Sequence, residues 1–236
     1  MRQSMMFGAV VGAVASGVLG GAALGATVTN PSFEVGAPVM GGPLNTDWRW
    51  DLHNFVTAEN AITPAAGNRM LKFLATSSGG AGPGVACDVI QIVDMTAPAD
   101  QAIITTGFGS VTVGALFNRV GGPAPSFVDT YFGVNVRSHT SYANAQSLTS
   151  TGLQTTILFS DANTATWESA VASLALPAST QYITIQLVAA EDILNDTSGV
   201  EFDGHYADDV RFALVPAPGS VVLAGLGGLV LARRRR

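Results

Sequence analysis

Tyr182-Ile183-Thr184-Ile185-Gln186-Leu187-Val188 alternates apolar and polar side chains with a period of two, which places Ile183, Ile185 and Leu187 on one face of an extended strand. Val111-Thr112-Val113-Gly114-Ala115 repeats the rhythm, with the valines sharing a face. Further runs rich in Val, Ile, Thr, Phe and Tyr are separated by clusters of Gly, Pro, Asn and Ser. They predict strands over 27–34, 48–55, 69–75, 85–94, 110–117 and 130–138, then over 155–160, 171–176, 182–189 and 209–215. No stretch with a helical period exceeds two turns in this body. Short strands with turn signals between them predict an all-β fold, a two-sheet antiparallel β-sandwich. No repeat and no linker divides residues 27–215, so they are expected to form one domain.

The two ends read differently. Arg2 is followed by an uncharged apolar stretch over 5–24, closed by the small residues Ala23, Gly25 and Ala26. This predicts a signal peptide over 1–26, with cleavage near Ala26 leaving Thr27 as the new N-terminus and Leu24 at the third position back. No Leu-x-x-Cys lipobox follows. At the other end, residues 221–232 carry no polar or charged side chain and stop at Arg233, Arg234, Arg235 and Arg236. Apolar side chains favour lipid while guanidinium groups stay in water, so this pattern is a membrane stop. As a helix, residues 216–232 would reach only about 25 Å, the minimum for a span and suited to a temporary anchor.

The full chain carries a net charge of −6. Between the two ends the only cations are Arg49, Arg69, Lys72, Arg119, Arg137 and Arg211, against all 17 acidic residues, a body charge of −11. Such a surface repels nucleic acid and anionic lipid, which excludes nucleic-acid binding. It suits divalent cations or a salty environment. Cys87 is the only cysteine, so no intramolecular disulfide can form. Its place in Cys87-Asp88-Val89-Ile90-Gln91-Ile92-Val93 predicts a buried, inert thiol.

The C-terminal tail, residues 216–236, resembles a PEP-CTERM sorting signal. Pro216-Ala217-Pro218 stands where that family usually has Pro-Glu-Pro, and the apolar segment and arginine cluster follow in order. The resemblance implies export to a bacterial surface or extracellular matrix, a transient inner-membrane anchor and processing by an exosortase-type transpeptidase.

The body is similar to galactose-binding-like jelly rolls, the fold of many carbohydrate-binding modules. The matching points are Asn30-Pro31-Ser32-Phe33-Glu34 at the opening, Trp48 in Asp47-Trp48-Arg49-Trp50, and Gln91 in its apolar strand. Leu176-Pro177-Ala178 and the closing Asp203-Gly204-His205-Tyr206-Ala207-Asp208-Asp209-Val210 complete the set. The resemblance implies a structural calcium ion where first and last strands meet, held by Glu34 and Asp209, with Asp208 as the alternative, and by loop carbonyls. Calcium takes six to eight hard oxygens in irregular geometry, and an ion there would tie the chain ends without a disulfide.

No catalytic constellation stands out. His53, His139 and His205 lack zinc-helix spacing, and no Gly-x-Ser-x-Gly elbow or P-loop occurs. Sugar rings stack on aromatic faces. Among the available platforms, alternation places Trp48 and Trp50 on one face, where the core is their expected place. Tyr131 and Tyr206, beside predicted loops, are expected to be exposed, and Trp167 is a third ligand-binding candidate. The expectation is an exported, non-enzymatic surface or matrix protein that binds polysaccharide. The alternatives are a purely structural or adhesive protein, a glycan-active hydrolase and an ice-binding protein.

Overall fold

The computed structural model describes residues 25–75, 86–120, 130–161, 163–191, 202 and 204–216. The signal-peptide stretch up to residue 24 and the tail from 217 onward lie outside them, so of the sorting-signal residues only Pro216 is described, and it is exposed. Among the described residues no helix is long and apolar enough to cross a membrane.

In chain order the described elements begin with β1 (Val39–Met40), β2 (Arg49–Trp50), β3 (Leu52–Val56), β4 (Met70–Ala75) and β5 (Ala86–Asp94). Helix α1 (Pro98–Ile104), β6 (Ser110–Arg119), β7 (Thr130–His139), helix α2 (Tyr142–Gln146) and β8 (Gly152–Phe159) follow. The chain continues with β9 (Glu168–Ala175), β10 (Tyr182–Glu191) and β11 (His205–Val215). A six-stranded sheet has the order β1-β2-β5-β10-β7-β8 and a five-stranded sheet the order β3-β4-β11-β6-β9. All neighbours are antiparallel except the short β1–β2 pair. This is the antiparallel sandwich that the alternation predicts.

The core lies between the sheets. Ile183, Ile185 and Leu187 meet Val111, Val113 and Phe117 within one buried cluster. Phe117 of one sheet stacks on Phe132 of the other with ring centroids 4.8 Å apart. Cys87 is buried in the same core, its thiol donating to the Leu52 carbonyl at 3.4 Å.

Two expectations need correction. Residues 27–34 form no strand, because Asn30 and Phe33 take φ of 49° and 56°, values that no strand can hold. Gln91 secures this irregular opening instead: its amide accepts from the Thr29 N–H and donates to the Thr29 carbonyl, both at 2.9 Å. The side chain thus supplies the pairing a neighbouring strand would give.

The segment 48–55 is not one strand either. The chain leaves the six-stranded sheet at Trp50 (φ 118°) and enters the five-stranded sheet at Leu52. Trp48 and Trp50 therefore do not share a face. Trp48 is in the core with its indole N–H donating to the Asn30 carbonyl at 3.1 Å, while Trp50 is 37% exposed.

β10 is buried on both faces, since Thr184, Gln186 and Val188 are buried as well. Over part of the outer face, Leu44 and α2 roof the sheet and enclose a small cluster of Leu44, Ile90, Ile92 and Ala145. Tyr142 and Gln146 of α2 both donate to the Leu44 carbonyl, at 3.3 Å.

Candidate ligand-binding face

The outer face of the six-stranded sheet gathers the polar side chains that the core rejects. Because side chains alternate, the inward set Phe132, Val134 and Val136 on β7 leaves Tyr131, Gly133, Asn135 and Arg137 pointing outward. Register brings Asn135 opposite Gln186 on β10 and Thr155 on β8, and Gly133 opposite Val188 and Ile157. Asp88 on β5 stands opposite Val188. A Cβ on Gly133 would meet Val188 Cβ at 3.4 Å and the Thr156 carbonyl at 3.5 Å, so its absence leaves a dip in the row.

Gln186 joins the group. Its Oε1 accepts from Asn135 Nδ2 at 3.1 Å and from an Arg137 guanidinium N–H, and its side chain also bonds the Asp88 carboxyl. Two acceptor atoms, Asp88 Oδ1 and Asn135 Oδ1, are buried without a hydrogen-bond partner. Burial pushes the Asp88 carboxyl up, with the Gln186 hydrogen bond opposing the shift, Asp51 adding to it and Arg137 offsetting it. Burial likewise pushes the Arg137 guanidinium down, against the pull of Asp88. At the rim Tyr131 meets Phe159 edge-on at 6.0 Å, and Phe159 and Ile157 are 62% and 53% exposed.

This arrangement suits a polyhydroxylated ligand. A hydroxyl can accept from the Arg137 fork. Sugar C–H groups can lie on the aromatic rim. Tyr131 is the residue here that the sequence singles out. Asp88, Asn135, Arg137, Gln186 and Phe159 escape notice in the sequence, although the outward alternation of Asn135 and Arg137 against a core-facing Val134 and Val136 carries the signal.

The other two ligand candidates lie elsewhere. Tyr206 is fully buried, which corrects its expected exposure. The reason is tertiary: the segment bearing Glu59, Asn60 and Ile62 covers the part of the five-stranded sheet's outer face where Tyr206 lies. The Tyr206 hydroxyl donates to Glu59 Oε1 and accepts from Asn60 Nδ2, each at 2.8 Å. Burial pushes this phenol up to about 12. Trp167 packs against the same small cluster of Ile62, Met70 and Tyr206, with its indole N–H donating to the Thr63 carbonyl at 2.9 Å. Neither joins Tyr131.

The expected calcium residues do converge in part. Glu34 Oε1 accepts the backbone N–H groups of Asn68 and Arg69, both at 2.8 Å. Asp208, fully buried, accepts the Ala66 N–H at 2.9 Å and the Asp209 N–H at 2.7 Å. Opening and closing motifs thus hold one loop, and the Val210 N–H donates to the Pro31 carbonyl at 2.9 Å beside them. Desolvation raises Asp208 to about 6. Asp209 sits at a bulge with φ 47° and pairs with Arg211. Of the two closing carboxylates Asp208 shares the Glu34 loop. Both carboxylates offer hard oxygens that already take N–H groups, so an ion there would use their remaining lone pairs and loop carbonyls.

Among the described residues no group of three or more His, Cys, Asp and Glu side chains could hold a metal on its own. His139 is buried between the Thr149 carbonyl and the Thr184 hydroxyl, at 2.8 and 3.0 Å. His53 is buried with Nδ1 at 2.8 Å from the Asp51 carbonyl. Glu168 accepts from the Ser160 hydroxyl at 2.8 Å and pins its own loop.

No protein-family model matches the chain, and no curated protein matches it. Solved structures with a similar course include TmCBM61 in complex with β-1,4-galactotriose, at 13% identity and TM-score 0.47, covering 78% of this chain and 94% of that one. The enzymatically active domain of tailspike protein 4 of bacteriophage CBA120 is 10% identical with TM-score 0.43. That match covers 80% of this chain but only 21% of the tailspike. A cleaved adhesin domain of Lys-gingipain from Porphyromonas gingivalis is 12% identical with TM-score 0.36, covering 68% and 82%. None of the three lends this chain a ligand or an activity.

Proposed function

We propose that this chain is an exported, non-enzymatic cell-surface or extracellular-matrix protein whose sandwich binds extracellular polysaccharide on the outer face of its six-stranded sheet. The observation that carries the reading is the half-buried Arg137 guanidinium on the outward face of β7, beside the Tyr131–Phe159 rim. Ligand hydroxyls can accept from the guanidinium, and sugar C–H groups can stack on the exposed ring of Phe159. The apolar stretch at 5–24 and the tail at 216–236 support export, transient anchoring in the inner membrane and exosortase-type processing. A structural calcium ion at the loop shared by Glu34 and Asp208 belongs to the same proposal.

Affinity electrophoresis against a panel of polysaccharides tests the binding role; retardation by at least one glycan is expected, and mobility unchanged by all of them overturns it. Mass spectrometry of the C-terminus from the native cell tests the sorting role. Loss of the residues beyond Pro218 is expected, whereas an intact Arg236 reduces the tail to a simple anchor. A second reading, an adhesive protein without soluble-glycan affinity, draws on the exposed apolar side chains Leu153, Ile157 and Phe159 of the edge strand β8.

A further inference from the structure

Asp100 is the one acidic side chain described as fully buried with both carboxylate oxygens lacking a hydrogen-bond partner. It lies in the first turn of α1, yet its carboxylate caps no N–H of that helix. No described ion pair includes it. A buried carboxylate in that condition costs several kcal/mol and calls for a cation.

The junction where the signal peptide should end lies against this carboxylate. A methyl group on Gly25 would stand 2.5 Å from Ala97 Cβ and 3.1 Å from Asp100 Oδ2, so only glycine fits against α1 there. From standard bond lengths the backbone nitrogen of Ala26 then lies no more than about 7 Å from that oxygen. Ala26 itself is buried in the main core, and Val28 packs against the same cluster. Ala23 and Gly25 supply the small-x-small pattern that a signal peptidase reads.

Resting on the export reading, we propose that the signal peptide is cut between Gly25 and Ala26, and that the α-ammonium so released is the counter-ion of Asp100. A signal peptidase adds water across the Gly25–Ala26 bond. Gly25 leaves as a carboxylate on the departing peptide and Ala26 gains the protonated amine. The freed end can then rotate and close on Asp100, while the Ala26 methyl stays in the core. This moves the cleavage point one residue ahead of the position read from the sequence. A cut after Ala26 would discard a core side chain and leave the Asp100 carboxylate farther from the new terminus. Processing therefore completes the fold, because the precursor holds a buried anion whose partner exists only after cleavage.

The test begins with the N-terminal sequence of the protein from its native host, expected to start at Ala26; a start at Thr27 or an intact signal peptide overturns the proposal. The exported protein is then acetylated at its α-amine. Lys72 is its only lysine, which makes a singly modified product accessible. Acetylation is expected to lower Tm by about 5–10 °C in the wild type and to have little effect in Asp100→Asn. Equal shifts in both proteins overturn the pairing. Should Asp100→Asn not fold, the pH dependence of α-amine labelling in the wild type decides. A pKa raised above the ordinary value of about 8 is expected, and an unshifted value overturns the pairing. Glycan affinity enters none of these readouts, so a failed polysaccharide screen and a failed cleavage prediction remain separable.

Discussion

Arg137 on β7 reaches diagonally across the sheet to Gln186 on β10, whose amide oxygen also takes the Asn135 side chain. The direct strand partner of Arg137 is Thr184, so the contact is set by the direction of two long side chains leaning along their strands. It holds a cation, two amides and the Asp88 carboxyl in one patch of an otherwise acidic protein.

Removing that cation is expected to weaken glycan binding selectively. Arg137→Ala deletes charge-assisted hydrogen bonds of about 1.5–3 kcal/mol, an affinity loss of about 10–100-fold by isothermal titration. Arg137→Lys is expected to retain only part of the affinity, because a point charge lacks the guanidinium fork. Phe159→Ala, which removes an exposed ring, is expected to cost about 3–10-fold with little change in Tm. Full affinity in Arg137→Ala would place the binding surface elsewhere.

Calcium at the Glu34–Asp208 loop predicts a chelator response. If the ion saturates its site, chelation should lower Tm by about 5–10 °C. Glu34→Gln and Asp208→Asn should each abolish the response. A wild-type melting temperature indifferent to chelator means that no stabilising ion sits there.

His139 gives a signed pH dependence. Burial holds its imidazole below the ordinary value of 6.5, the Thr149 carbonyl opposes the shift and Arg137 reinforces it. The folded state therefore binds its proton less readily than the unfolded state. The stability contributed by the neutral ring is fully present above about pH 6.5 and is lost as pH falls below it. His139→Gln is expected to flatten the fall in Tm between pH 7 and pH 5, and an unchanged slope would contradict the assignment.

Phe33 should be the costliest single side chain of the opening segment. It is fully buried, with ring centroids 5.5 Å from Trp48 and 5.4 Å from Phe55. Phe33→Ala is expected to lose about 3–5 kcal/mol in a denaturant titration. Gly67→Ala should cost about 1–3 kcal/mol in the same assay, since φ is +66° and a Cβ would stand 2.4 Å from Glu34 Oε1. Wild-type stability in either variant would contradict the packing described.

Much of the fold is legible in single segments. The strands at 70–75, 86–94, 110–119 and 182–191 follow from alternation or apolar runs, each within two residues of the expected bounds at most ends. The misses have specific causes. The 27–34 segment looks like a strand by composition, but Asn30 and Phe33 take positive φ and a side chain replaces the ladder. Trp50 ends a strand because the chain changes sheets there, an event with no local signature. Tyr206 follows the rule that places aromatics beside loops at the surface until the covering segment around Glu59 buries it.

By itself the sequence determines the period of the strands, the acidity of the body, the single thiol and the apolar ends, because these depend on the order and type of residues alone. Tertiary structure decides which outward side chains become a site. Asp88, Asn135, Arg137 and Gln186 come from three strands spread over about a hundred residues, and only strand order and register set them side by side. It also decides which polar atoms are desolvated, since what packs over Asp88 and Asn135 is set by the fold and not by the order of residues.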